Sequence, residues 1–128
     1  MTVAYWCILA AAFLPYVWTV VAKRSGERYD NRDPRGWLAR QQNPASIRAN
    51  AAQLNAFEAF APFAASVLMA QFAGVDANLV SLLAIAFVAF RLLHGILYLA
   101  GRHLLRSTAW AGGYLCVLAL MVLAAAAI

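Results

Sequence analysis

The charged residues of this 128-residue chain leave four long stretches that are almost free of charge. The two stretches near the ends of the chain contain no Asp, Glu, Lys or Arg, and the two in its middle contain one charge each, Glu58 and Arg91. About 20 consecutive apolar residues are enough to cross the hydrocarbon of a bilayer. Together with a hydrophobic content of 65% and a mean hydropathy of +0.70, this pattern predicts an integral membrane protein.

The same pattern predicts one domain over residues 1–128, an all-α membrane protein that folds as an antiparallel bundle of four transmembrane helices. The helices are predicted at residues 2–22, 45–73, 79–103 and 107–128, and a polar loop, residues 23–44, joins the first two. The first helix is interpreted as a membrane span and not as a secretory signal, because Lys23 and Arg24 follow it and no basic residue precedes it.

The basic residues predict the orientation in the membrane. Six lie in the first loop: Lys23, Arg24, Arg28, Arg32, Arg35 and Arg40. The connection before the last helix holds Arg102 and Arg106, whereas the middle linker and both termini hold no Lys or Arg. Both basic loops are therefore expected in the cytoplasm and both termini outside, in a bacterial inner membrane. The net charge of +5 belongs to these flanking residues and is not interpreted as nucleic-acid binding.

Two polar stripes follow the middle helices. The second predicted helix carries Arg48, Asn55, Glu58 and Pro62 on one face, and the third carries Arg91, His94, Tyr98 and Arg102 on one face. A charge near the centre of a bilayer costs about 3 kcal/mol, so such a residue usually faces the bundle interior or a partner. The sequence therefore predicts that Glu58 meets Arg91, that Asn55 approaches His94, and that an arginine-rich funnel opens toward the cytoplasm.

Single members of these stripes also have structural interpretations. A Glu–Arg pair inside a bundle fixes helix register, and basic residues at a cytoplasmic helix end are routine. Seven polar residues on two facing stripes favour a binding site, because each buried polar group needs a partner. Cys7 and Cys116 have no metal or redox spacing and are interpreted as small buried side chains, and no metal site is predicted.

The chemistry of the stripes points to a small zwitterionic ligand. Guanidinium groups bind carboxylates in a bidentate manner, and the one carboxylate among them, Glu58, suits an amino group. A small peptide with two carboxylates and one amine matches these groups. A field of arginines also lowers the pKa of a ligand thiol, whose thiolate form is the nucleophile.

These residues resemble the signatures of a known family, the membrane-associated proteins in eicosanoid and glutathione metabolism (MAPEG), in a bacterial member. The second-helix signature is represented by Arg48-Ala49, Asn55, Glu58 and Pro62. The third-helix signature and the pair that follows it are represented by Arg91, His94, Tyr98 and Arg106-Ser107. The resemblance covers the whole chain in length, helix layout and position of the basic loop.

The resemblance implies a homotrimer, surrounded by membrane lipids, that binds glutathione as a co-substrate between neighbouring subunits near the cytoplasmic face. It implies a transferase or peroxidase whose glutathione thiolate attacks a lipophilic electrophile or reduces a lipid hydroperoxide. By position, glutathione is held by Asn55, Glu58, His94 and Tyr98, with Arg48 as a contact or brace at the mouth. Arg91 braces Glu58, Arg106 stabilises the thiolate, and Ser107 is an alternative hydrogen-bond donor to it.

Two positions depart from the family pattern. Ala51 and Leu54 stand where several characterised members carry arginines that clamp carboxylates, and Arg35, Arg40 or Arg102 are candidates to replace them. Two other functions stay open. One is a non-catalytic lipid-binding or structural trimer of the same fold. The other is a small four-helix transporter driven by an intramembrane carboxylate, which the predicted pairing of Glu58 with an arginine disfavours.

Overall fold

The computed structural model describes residues 1–128, and all of its regular structure is helical. The helices are α1 (Thr2–Arg24), α2 (Pro34–Arg40), α3 (Pro44–Phe72), α4 (Ala77–Leu99) and α5 (His103–Ala127). The predicted all-α class is confirmed, but there are five helices and not the predicted four. The additional helix, α2, is short and lies within the segment that was predicted as a loop.

Three of the helices, α1, α4 and α5, are both long enough and apolar enough to cross a membrane. Helix α3 is the longest, at 29 residues, and spans about 44 Å at 1.5 Å per residue. Its polar stripe makes it less apolar than the other three, so its composition alone does not identify it as a membrane span. Large apolar side chains such as Phe13, Leu82 and Val122 are more than half exposed on the outside of the bundle, as is typical of a lipid-facing surface.

Helices α3 and α4 lie in the centre of the bundle, and α1 and α5 pack against both of them. The larger apolar core occupies the half of the bundle next to the α3–α4 linker. There the Phe63 and Phe87 rings stack with their centroids 3.9 Å apart, beside Val67 and Leu120. A smaller cluster around Trp18 lies toward the basic end. Along α3, Asn55 and Glu58 lie between Ala52 of the smaller cluster and Phe63 of the larger one.

Two Asx-Pro pairs start helices in the polar segment. The Asp33 side chain accepts a hydrogen bond from the Gly36 N–H at the start of α2. The Asn43 side chain accepts hydrogen bonds from two N–H groups in the first turn of α3. A proline follows each of these caps, at the first helical position, where its missing N–H costs nothing.

The connection between α4 and α5 differs from the prediction. Helix α4 ends at Leu99 and not at residue 103, and α5 begins at His103 and not at residue 107. The cause is Gly101, whose positive φ of 70° ends the helix, while the Arg102 N–H donates to the Leu97 carbonyl. Residues 106 and 107 therefore lie in the first turns of α5 and not in a turn before it.

Candidate functional site

The centre of the polar region is a hydrogen bond between α4 and α3. Arg91 is only 4% exposed, and its Nη2 donates to Asn55 Oδ1 at 2.7 Å. Its Nε is also buried and has no partner within the chain. A hydrogen bond to a charged group in such surroundings contributes more than one between neutral groups. The guanidinium of Arg91 is therefore held by an amide and keeps an unused donor.

The predicted ion pair between Glu58 and Arg91 is not formed. The ion pairs of the chain join Arg32 to Asp30 and Arg40 to Asp33, so Glu58 and Arg91 do not pair. The Asn55 oxygen accepts from Arg91, and no hydrogen bond joins Asn55 to His94. Asn55 and Glu58 are three residues apart, about 4.5 Å along the helix axis, and the shorter side chain lies at the level of the guanidinium.

Glu58 instead lines a cavity that Asn55 and Arg91 share. The cavity has a volume of about 160 Å³ and lies between α3, α4 and α5. Its polar wall is formed by these three side chains, and its apolar wall by Pro62, Phe87, Trp110, Tyr114 and Val117. Glu58 is exposed at the side of the single chain and has no basic side chain within 4 Å. The cavity thus contains a carboxylate that forms no ion pair within its own chain.

A second group of side chains links α4 to the start of α5. His94 is 3% exposed, and its ring meets the Tyr98 ring edge to face with the centroids 5.6 Å apart. The Arg106 guanidinium carbon lies 4.4 Å above the centre of the Tyr98 ring. Such a cation–π contact orients a guanidinium that has no carboxylate partner. The structure therefore brings His94, Tyr98 and Arg106 together at the basic end of the bundle.

The remaining predicted residues lie around the mouth of the site. Arg48 is exposed and lies against Gly101, where an added Cβ would be 3.2 Å from its Cζ. Arg102 is exposed at the start of α5, and Ser107 is exposed with no side-chain hydrogen bond. The predicted arginine-rich end is thus present, whereas Ser107 contacts no other member of the group. The roles assigned to these residues stay predictions.

Sequence reasoning missed the aromatic wall of the cavity. The Trp110 and Tyr114 rings stack with their centroids 5.1 Å apart and their planes 13° from parallel. They follow Arg106 by four and eight residues on α5, which places all three on one face of the helix. That spacing is visible in the sequence and was the available signal. The face joins the guanidinium at the mouth to the apolar side of the cavity.

The chain matches the family model of the MAPEG family over residues 3–126, nearly its whole length. No curated protein and no solved structure matches it. The family match includes every residue of the two polar stripes and the whole aromatic wall.

Proposed function

The chain belongs to the MAPEG family of membrane proteins, and from this membership we propose that it is a glutathione-dependent transferase or peroxidase. Its substrates would be lipophilic electrophiles or lipid hydroperoxides that reach the site from the bilayer. We further propose that it works as a homotrimer in a bacterial inner membrane, with the basic loops in the cytoplasm and both termini outside.

The observation that carries this proposal is the unpaired Glu58 carboxylate. It lines the cavity beside Arg91, the only Lys or Arg between Arg48 and Arg102. Arg91 bonds to Asn55 through its Nη2, and Glu58 makes no ion pair at this depth. An unneutralised carboxylate there costs several kcal/mol. A ligand amine supplies the missing charge, and the amino group of glutathione fits this requirement.

The two carboxylates of glutathione also need cationic partners, and the basic end of the bundle supplies them. Arg48, Arg102 and Arg106 lie there and make no ion pair within the chain. Of these, Arg48 and Arg102 would bind the carboxylates, and Arg102 would substitute for an arginine missing at Ala51 or Leu54. The unused Nε of Arg91 adds a buried donor at the cavity wall. Together these groups match a ligand with one amine and two carboxylates.

Arg106 is suited to hold the thiolate of glutathione. A free thiol has a pKa of about 8.5 and is only a few per cent ionised at neutral pH. A guanidinium fixed above the Tyr98 ring stabilises the charged form without a competing carboxylate. The lipophilic substrate would lie against Trp110 and Tyr114, on the same face of α5, so that the sulfur and the electrophilic atom meet between Arg106 and the aromatic wall.

The size of the cavity supports an assembly in which a second subunit completes the site. A volume of about 160 Å³ within one chain is smaller than the roughly 300–1,000 Å³ of a typical ligand pocket. Glu58 is at the same time exposed on the side of the chain. A neighbouring subunit placed against this side would enlarge the cavity into a site between subunits and shield the carboxylate from lipid.

A calorimetric titration of the purified protein with glutathione tests the proposal. We expect saturable binding that is lost in Glu58→Gln and Arg106→Ala. The matched controls are Glu27→Gln and Arg32→Ala, exposed residues of the basic loop outside the site. Wild-type binding should be accompanied by conjugation of an aromatic electrophile in proteoliposomes. Binding and turnover that are unchanged in both site variants would refute the assignment.

A non-catalytic lipid-binding or structural trimer is the second candidate, and Ala51 and Leu54 favour it. Leu54 is 52% exposed at the level where a carboxylate clamp would lie. This candidate predicts a stable trimer that binds no glutathione at millimolar concentration. Thiol conjugation that co-purifies with the trimer and disappears in Arg106→Ala would exclude it.

A proton-coupled transporter is the third candidate, and one observation favours it. The expected ion pair that disfavoured it is not formed, which leaves Glu58 as an unpaired carboxylate within the membrane segment. Such residues mark proton relays in transporters. Proton-driven efflux from reconstituted vesicles that Glu58→Gln abolishes would support this function over the transferase.

A further inference from the structure

A second, much smaller cavity lies between α1, α3 and α4, next to the cavity of Glu58. Its volume is about 10 Å³, which is close to the roughly 10–15 Å³ that one buried water molecule requires. Ala11 and Leu14 of α1 line it, together with alanine and phenylalanine side chains of α3 and α4. Arg91 is the only polar side chain in its wall. The cavity therefore has room for one small molecule and one side-chain donor to hold it.

The donor is the Nε of Arg91. The side chain is buried, its Nη2 donates to Asn55, and its Nε has no partner within the chain. A buried N–H without an acceptor is costly. At the depth of a membrane span, bulk water does not supply that acceptor, so polar groups are satisfied from within the bundle. The Nε–H of Arg91 therefore requires an acceptor among the groups around it.

The acceptor comes from α1, where Pro15 interrupts the backbone hydrogen bonds. Pro15 lies inside this helix and is fully buried. A proline has no N–H, so it does not donate to the carbonyl four residues before it, which here belongs to Ala11. Ala11 is also buried and lines the small cavity. A donor of α4 and a backbone acceptor of α1 thus border the same space, and no hydrogen bond joins them directly.

We propose that this cavity binds one structural water molecule. The water accepts a hydrogen bond from Arg91 Nε and donates one to the Ala11 carbonyl. Buried waters typically make about two to four hydrogen bonds, and they occupy sites where a polar group would otherwise stay unsatisfied. The size of the cavity, the unpartnered guanidinium N–H and the carbonyl that Pro15 frees all meet this requirement.

The water makes Pro15 a positioning residue for Arg91. Asn55 holds the guanidinium from α3, and the water holds it from α1, so three helices fix one cation. Because Nε carries a single N–H, a ligand in the cavity of Glu58 would meet only the Nη groups of Arg91. The inference does not rest on the proposed function, since both partners of the water belong to the chain itself.

Solid-state NMR of the protein in lipid bilayers, with isotope-labelled arginine, tests the proposal. The Arg91 Nε–H signal is identified by its loss in Arg91→Lys, and in wild type we expect a cross-peak from it to a water proton. Pro15→Ala adds an N–H that donates to the Ala11 carbonyl, so this variant should keep the Nε–H signal and lose the cross-peak. The matched control is Pro62→Ala, which changes a helix proline of α3 outside the walls of the small cavity and should keep the cross-peak.

Three outcomes would overturn the proposal. The absence of the cross-peak in wild type would do so without any variant. A cross-peak that persists in Pro15→Ala would show that the Ala11 carbonyl is not the partner and that Nε meets water from the cavity of Glu58. Equal losses in Pro15→Ala and Pro62→Ala would indicate a general change in helix packing. No glutathione is present in these spectra, so the water site and the proposed function are tested separately.

Discussion

Replacing Asn55 with leucine should expose the energetic cost of the buried Arg91 guanidinium. The wild-type hydrogen bond is 2.7 Å long, and Arg91 is 4% exposed with its Nε already without a partner. A hydrogen bond to a charged group contributes about 1.5–3 kcal/mol, and its loss leaves a buried donor unsatisfied. We therefore expect Asn55→Leu to lower the free energy of unfolding by about 2–3 kcal/mol. Unfolding by SDS in mixed micelles, followed by circular dichroism, measures the change.

A double-mutant cycle with Arg91→Met separates this hydrogen bond from other effects of the substitution. The double variant buries no unpaired guanidinium, so it should be destabilised by less than the sum of the single variants, with an interaction energy of about 1.5 kcal/mol or more. Asn50→Leu is the matched control, because Asn50 lies on the same helix and makes no side-chain hydrogen bond. A loss below about 0.5 kcal/mol in Asn55→Leu, or full additivity, would refute the reasoning.

Two further predictions concern packing and pH. A Cβ on Gly95 would lie 2.0 Å from the Trp18 ring, so Gly95→Ala should destabilise the bundle by about 1–3 kcal/mol in the same SDS assay. A Cβ on Gly113 would have its nearest neighbour at 3.5 Å, so Gly113→Ala should be neutral or stabilising. Destabilisation of equal size in both variants would contradict this packing. The Arg32 guanidinium holds the pKa of Asp30 below its usual value of about 3.9. The stabilisation from this pair is therefore present above about pH 4, and it is lost as the pH falls through the lower pKa that Asp30 has in the folded state. Arg32→Gln should raise the pKa of Asp30 in an NMR titration of its carboxyl carbon. An unchanged pKa would show that Arg32 does not stabilise the Asp30 carboxylate.

The long helices were predictable because membrane spans require continuous apolar sequence, and their observed ends lie within a few residues of the predicted ones, except at the α4–α5 turn. The signal for that turn was present in Gly101, since glycine after an apolar helical run commonly takes a positive φ and ends the helix. Helix α2 was missed because residues 23–44, which include the pair Asp33-Pro34, were predicted as one polar loop. The same pair is a helix start when the aspartate caps and the proline takes the first position.

The site was predictable as a set of residues and less so as a set of contacts. Helical periodicity placed the α3 and α4 polar residues on facing stripes. It did not decide whether Asn55 or Glu58 would meet Arg91, because both lie on one face of α3 only three residues apart. That choice depends on side-chain length, rotamer and helix offset, which the spacing does not determine. The outcome, an amide–guanidinium bond and an unpaired carboxylate, is the feature on which the proposed function depends.

The most direct test of the account compares glutathione with N-acetylglutathione, which lacks the cationic amine, on wild type and on Glu58→Gln. If Glu58 binds the amine, acetylation should weaken binding to wild type about 10- to 150-fold, the range expected for a charge-assisted hydrogen bond. Glu58→Gln should bind the two ligands almost equally. Equal losses on acetylation in both proteins, or no loss in wild type, would contradict the account.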